Sequence, residues 1–294
     1  MESLIFMVVL LGIGWLLRHL NAPIDFAKSL NFFIIYISLP ATIFLQIPSI
    51  EFSVNSLNVI LAPWLLLLIT ATLVWWLTRG QPSGVRAALM LLVPLGNTSF
   101  LGIPMIEALV GPSALGYVVL YDQFGTFLIL ATYGSFIIAH QQHGHLNWKI
   151  IFKKLVTFPP FLALIFILLW GKMPDVTLPY LKQLSSTLIP LALISVGYTI
   201  EVSKSLKYSL LSFGLVMKLF VTPIIAIGVL AFFNVDPMIK ETIVLEAAMP
   251  SMITAGALAI SAGFAPALSA AIVGYGVILS MASVPFWHWI ITRL

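Results

Sequence analysis

Cysteine is absent from this 294-residue chain, which excludes disulfides, thiol catalysis and cysteine-ligated metals. Charge is scarce as well. Asp, Glu, Lys and Arg together make 8% of the residues, where a soluble domain carries about 25%. The chain is therefore not a soluble enzyme, a nucleic-acid-binding protein or a secreted disulfide scaffold. The start also lacks a basic segment, and no small-residue cleavage site follows the first apolar run. Residues 4–17 read as the core of a permanent helix and not as a signal peptide.

Apolar sequence is what remains. Hydrophobic residues make 61% of the chain, and the mean hydropathy is +1.09. A spanning helix needs roughly 20 apolar residues, or about 28 with its loop, so the length fits about ten spans. The runs fall at 3–20, 29–46, 56–78, 85–110, 113–139, 149–170, 180–199, 206–231, 237–262 and 266–291. The expected fold class is an all-α polytopic membrane protein. Pro40, Pro63, Pro94, Pro104, Pro190, Pro223, Pro250 and Pro285 lie inside these runs. Membrane helices tolerate this where neighbours satisfy the freed backbone groups.

Basic residues set the expected orientation. One side of the ten-span order carries nine: Arg18, Lys28, Arg79, Arg86, Lys149, Lys153, Lys154, Lys204 and Lys207. The other carries four: Lys172, Lys182, Lys240 and Arg293. The richer side is expected to face the cytoplasm, which places both termini outside the cytoplasmic (inner) membrane.

The polar stretch at 140–148 divides the chain into 1–139 and 149–294, with five spans expected in each part. Pro40 matches Pro190, Pro104 matches Pro250, and Pro112 with Tyr121 matches Pro266 with Tyr275, at offsets of 146 to 154. An odd number of spans per half inverts the second half relative to the first. This is the inverted-repeat pattern of secondary transporters.

The fourth and ninth spans read as broken crossover helices. Gly96-Asn97-Thr98-Ser99-Phe100-Leu101-Gly102-Ile103-Pro104 makes a poor membrane helix, and Pro104 suits the first turn of a new half-helix. Glu246-Ala247-Ala248-Met249-Pro250-Ser251-Met252-Ile253-Thr254 follows the same logic. Unwound backbone at this depth must be buried in protein or line a cavity. Crossed half-helix N-termini carry partial positive charge and favour an anion. Candidate substrate-binding residues are Asn97, Thr98, Ser99, Gly102, Pro104, Met249, Pro250, Ser251 and Thr254. The competing reading is a pair of Pro-kinked packing helices.

Three ionisable residues are expected at similar depth. Asp122, Glu246 and Lys218 each lie about 12–15 Å from the outer face at 1.5 Å per residue. Buried charges there are rare and normally paired. Lys218 is expected to neutralise one carboxylate and leave the other for proton or cation exchange, the three titrating as a coupled group. The alternative is a static salt bridge. Glu107 reads as snorkelling. His140, His143 and His145 read as a solvated loop, and Trp75, Trp76, Trp148, Trp170, Trp287 and Trp289 as interfacial belts.

The segment 97–104 followed by Gly111-Pro112 resembles the first crossover of the auxin efflux carrier family. Glu246 to Pro250 resembles the second crossover, and Lys218-Leu219-x-x-x-Pro223 a basic-residue-then-Pro pattern of the eighth span. The resemblance implies a fold related to the sodium/bile acid symporters. Spans 1, 2, 6 and 7 form a scaffold in that fold, and the remaining spans a mobile core. It also implies elevator-type transport of a small mono- or dicarboxylate or auxin-like acid, no cofactor beyond a coupling H+ or Na+, and a homodimer through the scaffold. Two departures stand out. The long central loop of the larger plant carriers is missing, and Lys218 stands where Arg is more usual, which weakens bidentate carboxylate contact.

Other functions fit less well. An aspartyl intramembrane protease needs a second aspartate in a Gly-x-Gly-Asp segment, and Gly274-Tyr275-Gly276 continues to Val277. A channel presents rings of carbonyls or charges. A sodium- or proton-coupled cation antiporter of related fold is the alternative reading, although Asp122 is followed by Gln123 where such carriers place an acidic pair.

Overall fold

The computed structural model describes residues 2–20, 22–23, 25–50, 54–142, 147–200, 208–233 and 235–294. His143, His145, Lys204 and Lys207 lie outside the described residues. Among the described residues all regular structure is helical, apart from one β-type contact between Gly96 and Ser251.

Among the described residues six helices are long and apolar enough to cross a membrane: Glu2–His19, Phe26–Ser49, Ser56–Leu77, Pro112–Gln141, Tyr208–Leu230 and Pro266–Ile291. The other expected spans are interrupted, each for a local reason. Residues 149–170 form two helices, Trp148–Thr157 and Pro159–Trp170, bent by 67° where Pro159 and Pro160 intervene. Counting that pair as one span gives seven. Residues 180–199 split into Leu178–Ser186 and Leu188–Thr199. The break lies at Thr187 and not at Pro190, because Pro190 has no N–H for the Ser186 carbonyl four residues before it. Residues 85–110 and 237–262 split at the two expected interruptions.

The helices sort into two packed groups. Glu2–His19, Phe26–Ser49, Pro159–Trp170, Leu178–Ser186 and Leu188–Thr199 pack on one another. Ser56–Leu77, Ser83–Leu92, Pro112–Gln141, Tyr208–Leu230, Pro237–Ala248, Ile253–Ser261 and Pro266–Ile291 form the second group. In the first group, glycine allows backbones to touch. A Cβ on Gly14 would collide with the Ile194 carbonyl oxygen, and one on Gly197 with that of Leu11. Arg18 Nη1 donates to the Ile200 carbonyl at 2.9 Å, and Ser3 shares a cavity wall with Ser185. The helices Glu2–His19 and Leu188–Thr199 therefore run in the same direction.

Two prolines in or beside the second group leave orphaned carbonyls that side chains from other helices satisfy. Pro94 frees the Met90 carbonyl, and the Tyr133 hydroxyl donates to it at 2.9 Å. Pro223 frees the Leu219 carbonyl, and Trp287 Nε1 donates to it at 2.7 Å. Trp287 is thus buried at 4% exposure and does not belong to the interfacial belt expected for it. Trp75, Trp76, Trp148, Trp170 and Trp289 are exposed. Trp287→Phe removes the indole donor and leaves a buried carbonyl unsatisfied. A loss of about 1–3 kcal/mol is expected in denaturant unfolding, and a change inside experimental error contradicts this assignment.

Among the described residues five stretches adopt wider π turns: Ile34–Ser38, Thr98–Gly102, Tyr121–Phe127, Leu130–Gly134 and Met217–Val221. Such turns concentrate at functional sites. Here three of them carry Thr98, Asp122 and Lys218.

Candidate substrate site at a helix crossing

The two interrupted helices meet at their breaks. The first runs as Ser83–Leu92, unwinds around Gly96, and resumes at Thr98. The half-helix therefore starts before Pro104, in a π turn that leads into Ile103–Leu109, where Pro104 occupies the first α turn. The second runs as Pro237–Ala248, unwinds through Met249 to Met252, and resumes as Ile253–Ser261.

The unwound stretches pair with each other. The Asn97 N–H donates to the Pro250 carbonyl at 2.8 Å, and the Met252 N–H to the Leu95 carbonyl at 2.9 Å. This short antiparallel pairing satisfies backbone groups that have no helix to serve. The incoming half-helices are capped from across the crossing. Ser251 Oγ donates to the Leu92 carbonyl at 2.7 Å, and Lys218 Nζ to the Ala247 carbonyl at 3.0 Å. A cation at a helix C-terminus is electrostatically favourable. Glycine at 96 leaves room for it, since a Cβ there would lie 3.3 Å from Lys218 Nζ. Both outgoing half-helices present their N-terminal ends to the crossing, which polarises it positively.

Three ionisable side chains are buried around this point, with Lys218 at 2%, Asp122 at 3% and Glu246 at 1% exposure. Lys218 and Glu246 line one small cavity, and Thr98, also in its wall, donates to Asp122. Asp122 accepts from the Thr98 hydroxyl and from Gln123 Nε2, the latter at 2.6 Å. Glu246 is different. Neither of its oxygens has a hydrogen-bond partner among the described residues. Its carboxyl fills the space a side chain at 102 would take, since a Cβ on Gly102 would lie 2.7 Å from Oε2. Asn97 Nδ2 and Gln123 Oε1 are also buried without partners among the described residues. A small cavity of about 10 Å³ touches Thr98, Tyr121, Lys218, Thr222 and Glu246, room for about one water.

Sequence reasoning placed most of these residues together and missed others. Asn97, Thr98, Gly102, Met249, Pro250 and Ser251 are buried at the crossing, and Ser99 is half-buried beside it. Pro104 lines a larger cavity described below. Thr254 is exposed, one turn beyond the crossing, and no hydrogen bond of its side chain joins the cluster. Gln123 and Tyr121 were not foreseen as participants, although both neighbour Asp122 in the chain.

The larger cavity, about 570 Å³, opens between the two helix groups. Thr42, Gln46, Ile103, Pro104, Glu107 and Lys182 are in its wall. Glu107 is half-buried in that wall. Hydroxyl pairs join the helices of the first group beside it: Thr42 with Ser185 at 2.8 Å, and Ser38 with Thr187 at 2.7 Å. In the sequence these hydroxyl residues lie close to a proline in each half: Ser38 and Thr42 on either side of Pro40, and Ser185 and Thr187 just before Pro190.

Multiple apolar spans, a crossing of interrupted helices with buried unpartnered polar groups, and a polar-walled cavity between two helix groups define a membrane transporter. The chain matches the model of a family described as "Membrane transport protein" over residues 1–288, and it belongs to that family. This is the family to which the auxin efflux carrier resemblance points. It is similar to an "Uncharacterized transporter" of Methanothermobacter thermautotrophicus, 31% identical over 97% of this chain and 96% of the relative. A second such transporter, of Methanocaldococcus jannaschii, is 26% identical over 99% of this chain and 98% of the relative. The protein is a multi-pass membrane transporter, and transporters are not enzymes.

Proposed function

We propose that the protein is a secondary carrier of a small organic anion, a mono- or dicarboxylate or an auxin-like acid, working by elevator-type alternating access. One observation supports this most strongly: two interrupted helices cross with N-terminal ends and unpartnered polar groups turned to the same buried point. Asn97 and the backbone at Thr98 and Ser251 hold the carboxylate. The cavity against Pro104 is the route between the helix groups. The group holding Glu2–His19 is the scaffold and dimer surface, and the group holding the crossing moves. Ten spans in two inverted halves, 1–139 and 149–294, place both termini outside the inner membrane. The shared direction of Glu2–His19 and Leu188–Thr199 supports this order, because the first and seventh of ten alternating spans have the same sense.

Asp122, Glu246 and Lys218 couple transport to a proton or to the membrane potential. The Glu246 oxygens without partners also favour the alternative, a sodium- or proton-coupled cation antiporter. Uptake into proteoliposomes separates the two. Malonate, malate, lactate and an indole acid are supplied with and without pH and sodium gradients. The carrier reading expects saturable uptake and counterflow of at least one acid. Cation exchange without acid uptake contradicts it. Asp122→Asn or Glu246→Gln is expected to abolish stimulation by a pH gradient. Unchanged stimulation in both variants removes the coupling role.

A further inference from the structure

A second cavity lies away from the crossing, where the ends of Ser56–Leu77 and Ser135–Gln141 meet the start of Ser83–Leu92. It holds about 210 Å³ and is amphipathic. Arg86, His140 and Gln141 form a polar end, and Trp75, Met90 and Phe136 an apolar wall. We propose that this cavity binds the headgroup of an anionic phospholipid, whose phosphate meets Arg86 while its acyl chains lie over Trp75 and Phe136.

Charge carries the first part of the argument. Ser83–Leu92 packs against Val54–Leu77, Ser135–Gln141, Ile253–Ser261 and Pro266–Ile291. None of these five helices contains Asp or Glu. No carboxylate from the packed helices can neutralise Arg86. Arg86 is half-buried, and its guanidinium makes no hydrogen bond or ion pair with the described residues. Arg79 nearby differs. It donates to the Trp76 carbonyl at 3.2 Å and stands 5.8 Å and 5.4 Å from the Trp75 and Trp76 ring centroids. The Arg86 fork is left for an anion, and phosphate accepts it bidentately.

Shape carries the second part. A solvated arginine needs no concave aromatic surround. Trp75 and Phe136 are 47% and 50% exposed, beside the charge, at the ends of apolar helices. The His140 ring stacks on Phe136 at 5.8 Å, which fixes both at the rim. Such rings sit at the headgroup level of a bilayer, and basic pockets between membrane helices take lipid headgroups. Free phosphate shares the headgroup chemistry but gains nothing from the aromatic wall. A lipid bound here also grips Ser83–Leu92, the helix whose last carbonyl is capped by Ser251 at the crossing.

The test is native mass spectrometry of the full chain purified in detergent, then supplied with phosphatidylglycerol, phosphatidylcholine or sodium phosphate. The wild type is expected to retain one phosphatidylglycerol in preference to phosphatidylcholine, undisplaced by sodium phosphate. Arg86→Gln is expected to weaken retention about tenfold, the loss of one charge-assisted contact, with partial recovery in Arg86→Lys. Phe136→Asp, at an exposed position, adds a repelling charge without touching the core and is expected to weaken retention equally. It decides the matter if Arg86→Gln does not fold. Retention unchanged in the folded variants overturns the proposal. Displacement by sodium phosphate overturns it too, by showing a soluble-anion site.

Discussion

Lys218→Met is expected to destabilise the protein by about 3–5 kcal/mol, the usual cost of removing one partner from a buried charge cluster. Among the described residues Lys218 is the one fully buried Lys or Arg, in a region that also contains the buried Asp122 and Glu246. Asp122 keeps its donors Thr98 and Gln123 when the lysine is gone. Glu246 has no donor among the described residues to fall back on. The Ala247 carbonyl loses its cap as well. Glu246→Gln in the Lys218→Met background removes the uncompensated charge, so the double variant is expected to recover most of the loss. Denaturant unfolding of the wild type, the two single variants and the double variant reads this as a double-mutant cycle. Absence of recovery means that the cap on Ala247, and not the charge, is what Lys218 contributes.

Asn97→Ala is expected to weaken substrate binding about 10- to 100-fold with little change in stability. The side-chain amide is buried at the crossing, and its Nδ2 has no partner among the described residues. An unmade buried hydrogen bond destabilises the empty protein, so removing the group costs little there. A bound carboxylate supplies the missing acceptor, and a hydrogen bond to a charged group contributes about 1.5–3 kcal/mol, which corresponds to that range of affinity. Ser251→Ala gives the contrast. Its hydroxyl already caps the Leu92 carbonyl, so that change is expected to lower stability as well as binding. Asn97→Ala with unaltered binding removes Asn97 from the site.

Much of this architecture was legible because the bilayer imposes strict rules. Apolar runs located the helices, and Gly, Asn and Pro in the middle of two runs located the interruptions. The residues named from those interruptions are the ones that pair in space, Asn97 with Pro250 above all. Depth along the helix also brought Asp122, Lys218 and Glu246 into one region. What sequence did not reveal depends on rotation about helix axes. Thr254 lies one turn from the crossing yet is exposed, because each residue turns a helical side chain by about 100°. Trp287 sits near a helix end, where belt tryptophans are found, but its indole is turned inward to the carbonyl that Pro223 frees. The hydrogen bond of Lys218 to the Ala247 carbonyl, at the end of a half-helix, is a further contact that chain order does not reveal. Which helix end a buried cation reaches is a matter of distances, which the chain order does not encode.

The most direct measurement is an experimental structure of the protein soaked with a bromine-labelled small carboxylate, with the anomalous signal of bromine marking the ligand. The account predicts a peak beside Asn97 and Ser251, reached from the cavity at Pro104, and its disappearance in Asn97→Ala. A peak elsewhere, with the crossing unoccupied under saturating ligand, contradicts it.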